Sequence, residues 1–131
     1  MSSRDDLRGI FGRPKVFLPV IHVVSVDQTL RSVEVAVEGA CDGVFLISHE
    51  GDSAMVVSAT RAVNREYPEL WTGANFLGES WSGAFALAAN TVDCRGELAW
   101  RSLVDGVWCD DACIDEHGED QEVAKAISSQ R

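Results

Sequence analysis

The chain has 131 residues, 46% of them hydrophobic, which fits one globular domain and falls well short of the roughly 250 residues of a complete eight-unit strand-helix barrel. Acidic residues outnumber basic ones by 21 to 11, a formal charge of -10, and such a surface repels phosphate backbones and anionic lipid, so no nucleic acid or membrane partner is expected. No stretch approaches the roughly 20 apolar residues of a membrane span, and Met1 to Gly12 has no apolar core of a secretory signal, so a cytoplasmic location is expected.

Residues 1–13 are polar, with Gly9 and Gly12 near Phe11, and read as a lead-in segment with a short helix at one end of a sheet. Pro14 restricts its predecessor to extended backbone. Val16 to Val24, rich in β-branched residues, is the first predicted strand; Pro19 within it removes a ladder donor and places it at a sheet edge. Asp27 is the expected cap of the next helix, in which Leu30, Val33 and Val37 form an apolar stripe and after which Gly39 breaks the pattern. The second strand runs from Val44 to Ser48. Asp52 or Ser53 then caps a second helix with Met55, Val56, Ala59 and Val63 on one face, stopped by Pro68. Leu70 to Phe76 is the third strand, interrupted by Thr72 and Gly73. Glu79 and Ser80 begin a third helix with Trp81, Phe85 and Ala88 along one side. Leu98 to Leu103 adds a helical turn before the fourth strand at Val107, and Gln121 to Ser128 forms a final helix. The acidic run from Asp115 to Glu122 reads as solvated surface.

One phrase occurs twice. Asp42-Gly43-Val44-Phe45 opens an apolar run ending at His49-Glu50-Gly51-Asp52, and Asp105-Gly106-Val107-Trp108 opens another ending at Cys109-Asp110-Asp111. In each, a turn-forming pair leads into residues of high β propensity and then a polar cluster, which is how a helix-to-strand unit reads. Unbroken apolar strands alternating with helices predict an α/β fold with a parallel sheet and right-handed crossovers. Residues 14–131 hold four such βα units in a single domain, either half of a (βα)8 TIM barrel or a small open doubly wound sheet.

The four cysteines, Cys41, Cys94, Cys109 and Cys113, are expected as reduced thiols, since no export signal accompanies them. Cys109, Cys113 and His117 have a superficial zinc spacing, but the strand-end context and the lack of a second ligand pair favour packing thiols, so no metal ligand is assigned. Trp81, Trp100 and Trp108 read as core and interface. Neither a glycine-rich phosphate loop nor a Gly-x-Ser-x-Gly elbow is present.

In a parallel sheet the polar residues at the carboxyl ends of the strands share one rim, where α/β folds bind ligands. His22, His49, Glu50, Asp52, Asn75, Asp110 and Asp111 fall there. An imidazole among carboxylates can supply an acid and a base, and two aspartates with a histidine can hold a divalent cation; the cofactor is otherwise undetermined. His22, Glu50, Asp110 and Asp111 are the catalytic candidates, and His49, Asp52 and Asn75 the ligand-binding ones. The bland alternatives are a hydrogen-bonded interior histidine at His22, a helix cap at Asp52 and backbone satisfaction by Asn75.

Val20-Ile21-His22, Cys41-Asp42-Gly43-Val44 leading to His49-Glu50-Gly51-Asp52-Ser53, Ala74-Asn75-Phe76-Leu77-Gly78 and Gly106-Val107-Trp108-Cys109-Asp110 together resemble the first half of the BtpA-like proteins. These are TIM-barrel proteins named for a role in photosystem I biogenesis. His22, Asp52 and Asn75 match the family's strand-end motifs, whereas Val23-Val24-Ser25 replaces its proline-rich continuation and Ser48-His49 replaces its glutamate-asparagine pair. The resemblance spans residues 10–120 and implies a half-barrel binding a small phosphorylated or sugar-like ligand at its strand ends. A half-barrel leaves edges and an inner apolar face to be covered, so a homodimer, or pairing with a complementary half-barrel, is expected. The rival reading is a non-catalytic structural fragment acting through self-association.

Overall fold

The alternation of short β-branched runs with amphipathic stretches becomes eight elements in the computed structural model, which describes residues 7–89 and 103–110. They are α1 (Leu7–Phe11), β1 (Val20–His22), α2 (Val26–Glu38), β2 (Gly43–Ile47), α3 (Ser53–Glu66), β3 (Trp71–Asn75), α4 (Trp81–Ala89) and β4 (Gly106–Val107). The four strands form one sheet in the order β1-β2-β3-β4, and every pairing is parallel. The α/β class and parallel sheet expected from the sequence are therefore present.

Residues level across a parallel sheet share a face. Ile21, Leu46, Ala74 and Val107 form one such row, and Val44 with Thr72 another. Val44, Leu46, Thr72 and Ala74 are fully buried on that face. They pack with Val33 of α2, Val56, Ala59 and Val63 of α3, and Ala84 and Ala88 of α4 in one continuous core that also takes in Leu103 and Val104. All three long helices thus lie on the same side of the sheet, as right-handed crossovers between successive neighbours require.

The opposite face carries Val20, Phe45, Gly73 and Gly106 in one row, with Trp71 below. Here rings lie over glycines. A Cβ on Gly73 would run into the Phe45 ring, and one on Gly106 would come within 2.7 Å of the Trp71 ring. Phe45 meets Trp71 and Trp108 edge-on at centroid distances of 5.2 and 5.9 Å, and Phe11 of α1 meets Trp71 at 5.5 Å, closing the amino-terminal end of the strands. Val20 and Trp108 are each 44% exposed. Among the described residues, α1 is the one helix packed on this face.

The repeated phrase has one structural meaning in both places. The Asp42 N–H donates to the Phe17 carbonyl at 2.9 Å while Asp42 Oδ2 accepts the Phe17 N–H at 2.8 Å. The Asp105 N–H donates to the Thr72 carbonyl at 2.7 Å while Asp105 Oδ2 accepts the Thr72 N–H at 2.9 Å. Asp42 clamps the segment that leads into β1 and Asp105 clamps β3, and Asp42 also meets Arg13 at 3.3 Å. The glycine that follows each aspartate abuts Trp71, from β2 on one side and β4 on the other. Gly43 is level with Trp71 and Gly106 with Gly73, so the second copy sits two residues further along β3.

Several boundaries differ from expectation. β1 begins after Pro19, which has no N–H to give a ladder, though its carbonyl accepts the Phe45 N–H. Ser25, not Asp27, caps α2: its backbone is extended and its Oγ accepts the Gln28 N–H, leaving Asp27 in the first turn. Thr29 and Val33, one turn apart, form the buried stripe of α2, with Val37 40% exposed. In α4 the buried side chains are Ala84 and Ala88, with Trp81 and Phe85 half-buried. Thr72 and Gly73 do not interrupt β3, because one is buried against the core and the other makes room for Phe45. Leu103 is buried and donates its N–H to the Ala88 carbonyl. The rest of the turn expected over 98–103, the helix expected over 121–128, Cys94, Trp100, Asp111, Cys113, the acidic run and His117 lie outside the described residues.

Candidate functional site

The register makes His22 level with Ile47, and Ile47 level with Asn75. With strands about 4.8 Å apart, the Cα atoms of His22 and Asn75 lie roughly 10 Å from each other on one lip of the sheet. The Trp108 N–H donates to the Ala74 carbonyl at 3.0 Å, continuing the β3–β4 pairing past Val107 and bringing Cys109 and Asp110 to the same lip. Six of the seven candidate residues fall there, in two groups.

The first group follows β1 and β2. Ser48, buried at the end of β2, accepts the Gly51 N–H on its carbonyl at 3.1 Å, closing a turn with His49 and Glu50 at its centre. Gly51 takes a φ of +70°, where a side chain would be strained. Ser48 Oγ accepts the Asp52 N–H at 3.2 Å, and Asp52 Oδ1 caps α3 by accepting the Met55 N–H at 3.0 Å. The turn holds His49 against His22: their Nε2 atoms are 3.2 Å apart and the rings meet at 4.1 Å, edge to face. His22 is exposed rather than interior, so the bland reading of that residue does not hold, whereas the capping reading of Asp52 does. His22, Ser48, His49, Glu50, Asp52 and Met55 line a cleft of about 230 Å³.

The second group follows β3 and β4. Asn75, 2% exposed, donates from Nδ2 to Asp110 Oδ1 at 3.2 Å. Both line a cleft of about 320 Å³ with Leu77, Glu79, Ser80 and Cys109. Burial, then the neighbouring Asp110 carboxylate, pushes the Cys109 thiol above its ordinary pKa and keeps it neutral; burial does the same to Cys41. Ser53 Oγ donates to Glu79 Oε1 at 3.3 Å and joins the loops of the two groups.

Among the described residues no lysine or arginine lines either cleft. Among the described residues no three His, Cys, Asp or Glu side chains gather as a metal cluster, and no helix is long and apolar enough to cross a membrane. Sequence reasoning missed Ser48, Glu79 and Cys109. Ser48 and Cys109, each ending an apolar run, carried a signal, and Glu79 did not. Comparison with protein-family models, with curated proteins and with solved structures finds no match.

Proposed function

We propose that this chain is a cytoplasmic, BtpA-like half-barrel that binds a small sugar-like ligand along the rim formed by His22, His49, Glu50, Asn75 and Asp110. The observation that carries the ligand reading is the level placement of His22 and Asn75, each already holding a second polar group, His49 and Asp110 respectively. Polar pairs whose Cα atoms stand about 10 Å apart, with side chains reaching between them, suit a small polyhydroxylated molecule. Among the described residues the charged side chains lining the two clefts are Glu50, Asp52, Glu79 and Asp110, a negative set that suits hydroxyl groups better than a phosphate without an accompanying cation. His22 and His49 supply the acid and base capacity, with Glu50 as auxiliary. Asp52 shapes the cleft, since one of its oxygens is committed to the cap.

Three features support the half-barrel. Strand order is sequential, the long helices share one face, and the repeated phrase advances two residues over two strands. One residue per strand is the stagger that closes eight strands with a shear of eight. The aromatic face is then the inner one, and a second copy of the chain covers it. The exposed Val20 and Trp108 on that face equally favour a scaffold that assembles without turnover.

Thermal-shift titration with sugars and phosphosugars, with and without a divalent cation, tests the reading. A stabilisation lost in both Asp110→Ala and His22→Ala supports a ligand rim. No response across the panel from a chain that still self-associates supports the scaffold.

A further inference from the structure

We propose that His22 and His49 are the protein ligands of an open site for a divalent transition metal of the zinc, nickel or cobalt class. The inference shares His22 and His49 with the proposed sugar rim but does not depend on sugar binding, since metal titration reads the histidine pair directly. Two imidazole nitrogens bound at about 2.0–2.1 Å to one ion with tetrahedral angles lie about 3.3 Å from each other. The two Nε2 atoms are 3.2 Å apart, while the ring centroids, at 4.1 Å, are closer than the roughly 5 Å of on-axis coordination, so an ion turns both exposed rings slightly outward.

The chain builds this separation from rigid parts. His22 is the last residue of β1, and His49 is held in the turn that the Gly51 N–H closes on the Ser48 carbonyl. Both imidazoles are exposed, so an ion reaches them without displacing core. Imidazole nitrogen selects zinc, nickel, cobalt and copper over magnesium and calcium, which take oxygen ligands. With two nitrogens fixed, the remaining coordination positions go to water, since no third His, Cys, Asp or Glu among the described residues groups with the pair. Asp52 is not required, because its Oδ1 holds the helix cap. The negative charge of Glu50 and Asp52 favours a cation in the cleft.

Cobalt(II) titration followed by visible absorption tests the site on the full chain, because a nitrogen and oxygen site lacks the intense thiolate-to-cobalt charge-transfer band that binding to the cysteines would produce. The expected result is one cobalt per chain without that band, displaced by zinc and not by excess magnesium. His22→Ala and His49→Ala should each weaken binding tenfold or more, and Glu50→Gln less. Circular dichroism monitors the fold, and His22→Gln replaces His22→Ala should the latter unfold. The proposal is overturned if the chain binds no cobalt or zinc below millimolar concentration, if the thiolate band accompanies binding, or if the folded histidine variants bind as tightly as the parent.

Discussion

The two faces of the sheet are filled in different ways. On the helix-covered face, small and branched side chains from β1, β2 and β3 meet Val33, Val56, Ala59 and Val63, and burial is complete. On the opposite face Phe45 lies over Gly73 and Trp71 over Gly106, while Val20 and Trp108 keep contact with solvent. Burial on the first face depends on total volume, whereas the second depends on particular ring-and-glycine pairs. The first face should therefore respond to lost volume, the second to added volume.

The largest effect is expected on the helix side. Leu46→Ala removes a fully buried side chain and should lower unfolding stability by about 3 kcal/mol in urea titrations. Next comes Gly73→Ala, which places a methyl group against the Phe45 ring and should cost about 2 kcal/mol. Combined with Phe45→Leu it should cost less than the two single changes added together, and simple additivity would break the ring-and-glycine account. Asp105→Ala removes the clamp on the Thr72 N–H and should cost about 1–2 kcal/mol by the same titration. Trp108→Ala should change monomer stability by about 1 kcal/mol or less but weaken self-association, read by light scattering. The smallest effect concerns chemistry at the rim: Cys109, kept neutral, should be alkylated by iodoacetamide at pH 8 more slowly than a free thiol, with the rate rising only above the ordinary thiol range.

What could be read from sequence differed in the same way between the faces. β1 and β2 announce themselves by apolar runs of high β propensity, and α3 by its cap and its Val56, Ala59 and Val63 stripe, because both report local pattern. The twin Asp-Gly phrases marked strand starts correctly. That each aspartate binds a neighbouring segment of chain was not legible, because Phe17 and Thr72 are brought to Asp42 and Asp105 only by tertiary packing. Gly73 looked like an interruption for the same reason, since its partner Phe45 comes from another strand.

At the rim, the residue types were legible and their partners were not. The sequence placed His22, His49, Asn75 and Asp110 at strand ends. It could not join His22 to His49 or Asn75 to Asp110, nor divide the rim into two clefts. The capping role of Asp52 was visible because a cap acts over three residues of chain.

The half-barrel account is tested most directly by the solution mass of the chain, from size-exclusion chromatography with multi-angle light scattering at tens of micromolar. It predicts a particle of twice the 14.2 kDa chain mass that dissociates when Trp108 and Val20 are replaced by serine. A folded, soluble single chain at that concentration would contradict it.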